Sequence, residues 1–259
     1  MESSRANVVS SFTIIKGSMV EETYAVMREW NFEWSREENL RHVKENNSVG
    51  AQSTNWLRDI CSVIHRRYDP NNKDRALAML AKTKPSMEVW KPVQLWHMTR
   101  DEFLVRDFFI NWLFKEYEEG SYRIRGDGPF EYLNDLHSRG VVKAEWSGNT
   151  TKAVAGALLR MAVVFGLMSG TVVKEFKSYH LPDESFLYLL HAMYEVYGNA
   201  RKVVHSSDWR LFLMTTADVE SELLRLHQFR KLHYQVAGSV VELSLPCDSA
   251  AAFIEELAG

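Results

Sequence analysis

The sequence predicts a mainly α protein: a compact multi-helix body with helix-turn-helix-like and winged-helix-like units and short β-ribbons. Three observations predict it. Apolar residues recur at spacings of 3, 4 and 7, the period of a buried helix face. Six Pro and thirteen Gly in 259 residues leave room for long regular elements. Hydrophobic residues make up 46% of the chain and include eight Trp, enough for a sizeable core and far from a disordered composition.

Taken in order, Val20, Tyr24 and Met27 open the first helix. A short second helix over 37–44 follows Ser35, a good N-cap. The third runs from about Ser53 to Tyr68, where Asp69-Pro70-Asn71-Asn72 breaks it. Further helices are expected over 73–81, 86–97 and 101–118. The Arg-Gly-Asp-Gly-Pro run inside 121–129 is the strongest loop and boundary signal. It divides an N-terminal helical region, 1–120, from a C-terminal one, 121–259, the two expected to pack as one globule. Beyond it, helices are expected over 130–138, 150–168, 184–197, 208–213, 217–231 and 249–257. Alternation predicts short strands over 171–176 and 239–245. No fixed-period repeat and no low-complexity segment stands out.

Composition excludes several classes. The net charge is −3, so no global field draws the chain to nucleic acid and any such binding needs a local patch. Cys61 and Cys247 stand alone and 186 residues apart, which rules out a disulfide framework or a structural zinc site. The stretch 1–11 is polar, unlike a signal peptide. The most apolar run, 153–168, is 16 residues long and contains Arg160, short of the roughly 20 apolar residues of a membrane span. A cytoplasmic protein with no membrane contact is expected.

The richest local pattern lies in a trihelical unit over 18–69. On a wheel of its third helix, Leu57, Ile60, Cys61, Ile64 and Tyr68 share one stripe, while Asn55, Arg58, Ser62 and Arg66 lie opposite. An amide, a hydroxyl and guanidiniums are the groups that reach base edges and phosphates from a recognition helix. Ser53 and Thr54 sit at its N-terminus, where backbone N–H groups favour phosphate. Arg41, Lys44, Arg58, Arg66 and Arg67 against Glu45 and Asp59 leave +3 over 41–67. Against this, every amphipathic helix has a polar face, and Asp59 would repel phosphate. The second half holds an echo: a helix, the polar entry Ser147 to Lys152, a long helix and a ribbon, in winged-helix order. Its long helix is apolar nearly all round, which marks a buried helix. Phosphate contact there is expected only from Thr150, Thr151, Lys152 and the ribbon lysines Lys174 and Lys177.

Catalytic readings find little. No His pair has metallohydrolase spacing, and His227 and His233, six apart, read as surface or edge histidines. Glycine-rich phosphate loops and a nucleophile elbow are absent. Glu175-Phe176-Lys177 has the Glu-x-Lys spacing of some metal-dependent nucleases but lacks a second carboxylate on a neighbouring strand. Glu116, Glu118 and Glu119 read as a solvated helix end. Neither a catalytic residue, a metal, a cofactor nor a small-molecule substrate is therefore expected.

Several segments also stand in a familiar order: Lys16-Gly17-Ser18-Met19, Gln52-Ser53-Thr54-Asn55-Trp56-Leu57-Arg58, His65-Arg66-Arg67-Tyr68, Leu158-Leu159-Arg160, Phe165-Gly166-Leu167, and Gln235 to Leu243. In that order and at this length the chain resembles the BrxA family, a small component of bacterial BREX phage-defence systems. The resemblance implies a compact, mostly helical, non-enzymatic protein that binds double-stranded DNA, with a body partly like the helical antitermination factor NusB and other BREX proteins as partners. Family records also carry an inner-membrane label, which the hydropathy here contradicts. Two alternatives stay open: RNA binding by a NusB-like body, and a protein-interaction scaffold. For the scaffold speaks the tail after Lys231, where Glu242, Asp248, Glu255 and Glu256 meet no Lys or Arg.

Overall fold

The computed structural model describes residues 9–238 and 240–258. The protein is mainly α, with two small antiparallel sheets. Side-chain caps start most of the longer helices, as their sequences dictate. A short helix, α1 (Ser11–Ile15), opens the described chain, and α2 (Val20–Glu29) follows. Then α3 (Arg36–Asn46) begins in a capping box of Ser35 and Glu38, and α4 (Thr54–Arg67) begins at Ser53, whose hydroxyl accepts from the Trp56 N–H. Between them the Asn47 side chain bridges the turn by accepting from the Ala51 N–H at 2.8 Å. Next come α5 (Arg75–Lys82) and α6 (Met87–Met98), the latter capped by Ser86.

The expected helix over 101–118 is a rod with a wide turn inside it. It runs as α7 (Phe103–Asp107), a π-helical segment (Phe108–Leu113) and α8 (Phe114–Glu118). After β1 (Arg123–Ile124) comes α9 (Phe130–Asn134), shorter than the sequence pattern implied. The long helix α10 (Gly148–Val164) is capped by Ser147. It ends four residues earlier than expected because Gly166 adopts φ +85, outside the helical range. Met168 therefore joins β2 (Met168–Ser169) instead of the helix, and β3 is only Lys174–Phe176.

The C-terminal part holds α11 (Asp183–Tyr197), α12 (Ala200–Val204), a 3-10 helix (Ser207–Phe212) in place of an expected α-helix, and α13 (Thr216–Gln228). A hairpin of β4 (His233–Ala237) and β5 (Val240–Ser244) and the helix α14 (Ala250–Ala258) complete it. Ser239, placed in a strand by its sequence, lies outside the described residues. Spacing alone did not reveal α1, α12, β1 or β4, each five residues or fewer.

One cluster of buried side chains runs from Ile14 to Ile254 and includes Trp30, Trp90, Trp96 and Trp209. Within it α2 packs on α5, α1 on α10, α6 on α11, and α14 on both α5 and α11. Buried polar groups pin these helices to one another. The His97 ring on α6 meets the Asp74 carboxylate at 2.6 Å and the Tyr188 hydroxyl at 2.8 Å, joining α5, α6 and α11. Burial, the largest influence, holds His97 below its usual pKa. Neutral His97 thus donates from Nδ1 to Asp74 and accepts from Tyr188 at Nε2. Among the described residues, no helix is long and apolar enough to cross a membrane.

Candidate nucleic-acid interface

The wheel of α4 reads correctly onto the fold. Leu57, Ile60, Cys61 and Ile64 are buried, and Thr54, Asn55, Arg58 and Ser62 face water. The exposed cations Arg41 and Lys44 stand on α3, which packs against α4. Ser53 is exposed, but its hydroxyl already serves the helix cap. Asp59, the acid that would repel phosphate, is neutralised: its carboxylate accepts from the Lys16 ammonium at 2.6 Å. That cation reaches α4 from the end of α1, a partner that a wheel of one helix cannot reveal.

Arg67 overturns its expected role. Its side chain is fully buried, and Nε donates to the Glu102 carboxylate at 3.0 Å. The other nitrogens donate to the carbonyls of Gly17 at 2.8 Å, Ser18 at 3.4 Å and Thr13 at 2.7 Å. This guanidinium clamps the α1–α2 junction to α4 and to the cap of α7. It cannot reach DNA. Arg66, half-buried, lies 3.7 Å from the same Glu102 carboxylate, so part of its charge is balanced from within.

In the second unit the order is the helical rod Phe103–Glu118, β1, α9, α10, β2 and β3, and the strands lie in the order β1-β3-β2. The register pairs Arg123 with Glu175 and Met168 with Phe176. Much of α10 is buried, as its apolar circumference implied. One exposed line survives through Asn149, Lys152 and Arg160, with Gly156 between them. Lys152 is exposed as expected, and so is Lys177. Thr150 is half-buried, its hydroxyl 3.0 Å from that of Ser147. Two expected phosphate ligands are withdrawn. Thr151 is buried against the core, and Lys174 is buried with its ammonium donating to the carbonyls of Gly170, at 3.1 Å, and Thr171. Burial, and then the charge of Arg160, lowers the Lys174 pKa.

The fold brings the two units together. A groove of about 360 Å³ is walled on one side by Lys16 and Trp56, from the α1 end and the first turn of α4. Ala157, Arg160 and Val164 of α10 wall the other side, with Lys91 of α6 beside them. The Lys16 ammonium also lies over the Trp56 ring, 5.7 Å from its centre. Glu21 and Glu22 line the same groove, so its charge is mixed. Lys16 and Arg160 were not among the phosphate contacts expected from the sequence. Arg160 was findable, because Asn149, Lys152 (or Ala153), Gly156 and Arg160 follow helical spacing.

A family model described as BrxA matches residues 11–192, well over half of the chain. The chain belongs to the BrxA family. Membership supports a role in BREX-related defence. The span matched to BrxA covers the α2–α4 unit, the α10–β3 unit and most of α11, and stops before the β4–β5 hairpin. No curated protein and no solved structure matches the chain.

In this BrxA-family chain the residues with catalytic spacing are otherwise engaged. The Glu175 carboxylate accepts from Arg123 Nε at 2.7 Å across the strand pair. His227 and His233 stack edge to face with ring centres 5.1 Å apart, and His227 Nδ1 accepts from the Tyr234 N–H. Among the described residues, no group of three His, Cys, Asp or Glu side chains is arranged to hold a metal ion.

Proposed function

We propose that the protein is a cytoplasmic, duplex-DNA-binding accessory factor of BREX-related defence, acting by binding and not by converting its ligand. One observation carries the reading. From Trp146 to Lys174 the chain holds Lys152, Arg160 and Lys174 and not one carboxylate. That acid-free stretch forms the long helix and hairpin of a helix–strand–helix–helix–ribbon unit, the order of a winged helix. Across the shared groove stands Trp56, in the first turn of α4; we read α4 as the second helix of a helix-turn-helix with α3. In this reading Lys152, Arg160 and Lys177 meet phosphates, while Asn55 and Arg58 offer the amide and guanidinium that pair with adenine and guanine edges.

The test is direct. A Lys152→Ala, Arg160→Ala double variant and an Arg58→Ala variant, both checked for native circular dichroism, are titrated against a labelled duplex. Weakened binding in both supports the reading. Unchanged binding in both removes the surface.

The tail supports a second binding face. Exposed Glu242, Asp248, Glu255 and Glu256 lie beyond the last cation of the chain, and in the β4–β5 hairpin exposed Val240 shares a face with Glu242 while exposed Val236 lies on the other. Such a surface repels DNA and suits another defence protein. Loss of co-purification when Val236 and Val240 are changed to Ser would support it; unchanged co-purification would remove it.

A further inference from the structure

The turn between β2 and β3 passes through Gly170, Thr171, Val172 and Val173. Its tip holds an apolar side chain almost wholly in water, since Val172 is 81% exposed. A single exposed valine is ordinary. The structure beneath it is not. Lys174 is buried to 7% exposure, and its ammonium donates to the Gly170 and Thr171 carbonyls instead of to water. Desolvating an ammonium is costly unless its donors are met, and here two of the three are spent on shaping the turn. Gly170 adopts φ +97, and a Cβ there would lie 2.2 Å from the Val173 carbonyl oxygen, so no other residue fits. A buried cation and an obligatory glycine thus fix a turn whose tip stays almost wholly exposed beside the described residues.

The surroundings point to what the tip meets. The acid-free stretch Trp146–Lys174 leads up to it, and the first carboxylate beyond, Glu175, is held by Arg123. Lys177 is exposed further along. Within that stretch no carboxylate opposes an approaching polyanion, while exposed Glu118 and Glu119 stand at the end of α8, whose Tyr117 ring packs on Phe176 at the far end of β3. Fixing the turn beforehand removes the ordering cost of inserting it.

We propose that Val172 is an apolar wedge that enters the minor groove of duplex DNA, parts a base step and bends the duplex. The inference rests on the DNA-binding reading above and adds a mode and a preference to it. Side chains of this kind unstack steps and kink DNA away from the protein's wedge. Pyrimidine–purine steps unstack most easily, so duplexes carrying a TA or CA step should be favoured over stiff A-tracts.

The experiment uses the full chain and a duplex of about 25 base pairs with a central TA step and a fluorophore at each end. Anisotropy reads binding and energy transfer reads bending, for the unaltered protein and for Val172→Ser, Val172→Ile and Arg58→Ala. The unaltered protein should bind and raise energy transfer. Val172→Ser should bind roughly tenfold more weakly and leave the duplex straight, consistent with losing one buried aliphatic side chain. Val172→Ile should retain both readouts. Arg58→Ala should weaken binding yet bend the duplex once saturated. Binding without bending by the unaltered protein, or bending by Val172→Ser equal to it, overturns the wedge and leaves DNA binding standing. Absence of binding by the unaltered protein overturns both.

Discussion

α4 and α10 are the two helices on which the proposed DNA surface rests, and they reach solvent in opposite ways. α4 is amphipathic: Leu57, Ile60, Cys61 and Ile64 pack inward, and Asn55, Arg58 and Ser62 stay in water. α10 is covered by α1 and by the core around most of its circumference, and the line Asn149–Lys152–Arg160 emerges, with Val164 at its end. The difference teaches that a cation's position along a helix does not fix its job. Arg58 and Arg67 stand on the same helix, yet one points to solvent and the other is a fully buried clamp.

That contrast within α4 breaks most sharply at Arg67. Its replacement by Ala leaves the buried Glu102 carboxylate to the more distant Arg66 and removes the guanidinium from the Gly17 and Thr13 carbonyls, and should cost about 3–5 kcal/mol of stability in denaturant titration. A loss below about 1 kcal/mol would mean the clamp is not structural. Between the helices, the Lys152→Ala, Arg160→Ala variant should leave stability nearly unchanged. It should weaken duplex binding by roughly ten- to a hundredfold and lower the salt slope by about 2, one for each phosphate left without its cation. Unchanged affinity would return α10 to a purely structural role.

Acid separates core from surface next. Burial lowers the pKa of both His97 and His191, so each stays neutral in the fold while its unfolded counterpart protonates below about 6.5. The unfolded state then binds more protons, so stability is full above that pH and falls as pH drops toward the lowered folded values. Thermal melts between pH 7.5 and pH 5 (roughly spanning that window) should show it. A His97→Gln variant should show a shallower decline than the unaltered protein. The smallest effect on salt dependence is expected at Arg58→Ala: as a base-edge contact its loss should weaken duplex binding and relax sequence preference, with little change in salt slope and no change in the melt.

Much of this fold is legible in the sequence. The capped helix starts at Ser35, Ser53, Ser86 and Ser147 follow from local chemistry that tertiary packing does not alter. The outward stripe of α4 follows from period alone. What could not be read depends on residues far away in sequence. Arg67 is buried by carbonyls 49 to 54 positions distant, and Asp59 is neutralised by a lysine 43 positions earlier. Lys174 looks like a ribbon lysine facing phosphate because alternation places it on a strand. Only the fold of the Gly170–Val173 turn shows its ammonium folded back beneath it. The line on α10 is obscured because Leu159 and Val163 make the far side look apolar, whereas α1 and the core cover much of that side.

The most direct test of a DNA-binding role is the unaltered protein titrated with one fluorescent duplex from about 50 to 200 mM salt, with unlabelled duplex DNA and structured RNA as competitors. Affinity should fall linearly on a log–log plot with a slope of at least about −3, for Lys152, Arg160 and Lys177, and duplex DNA should compete better than RNA. Binding indifferent to salt, or displaced more readily by RNA than by duplex, would contradict it.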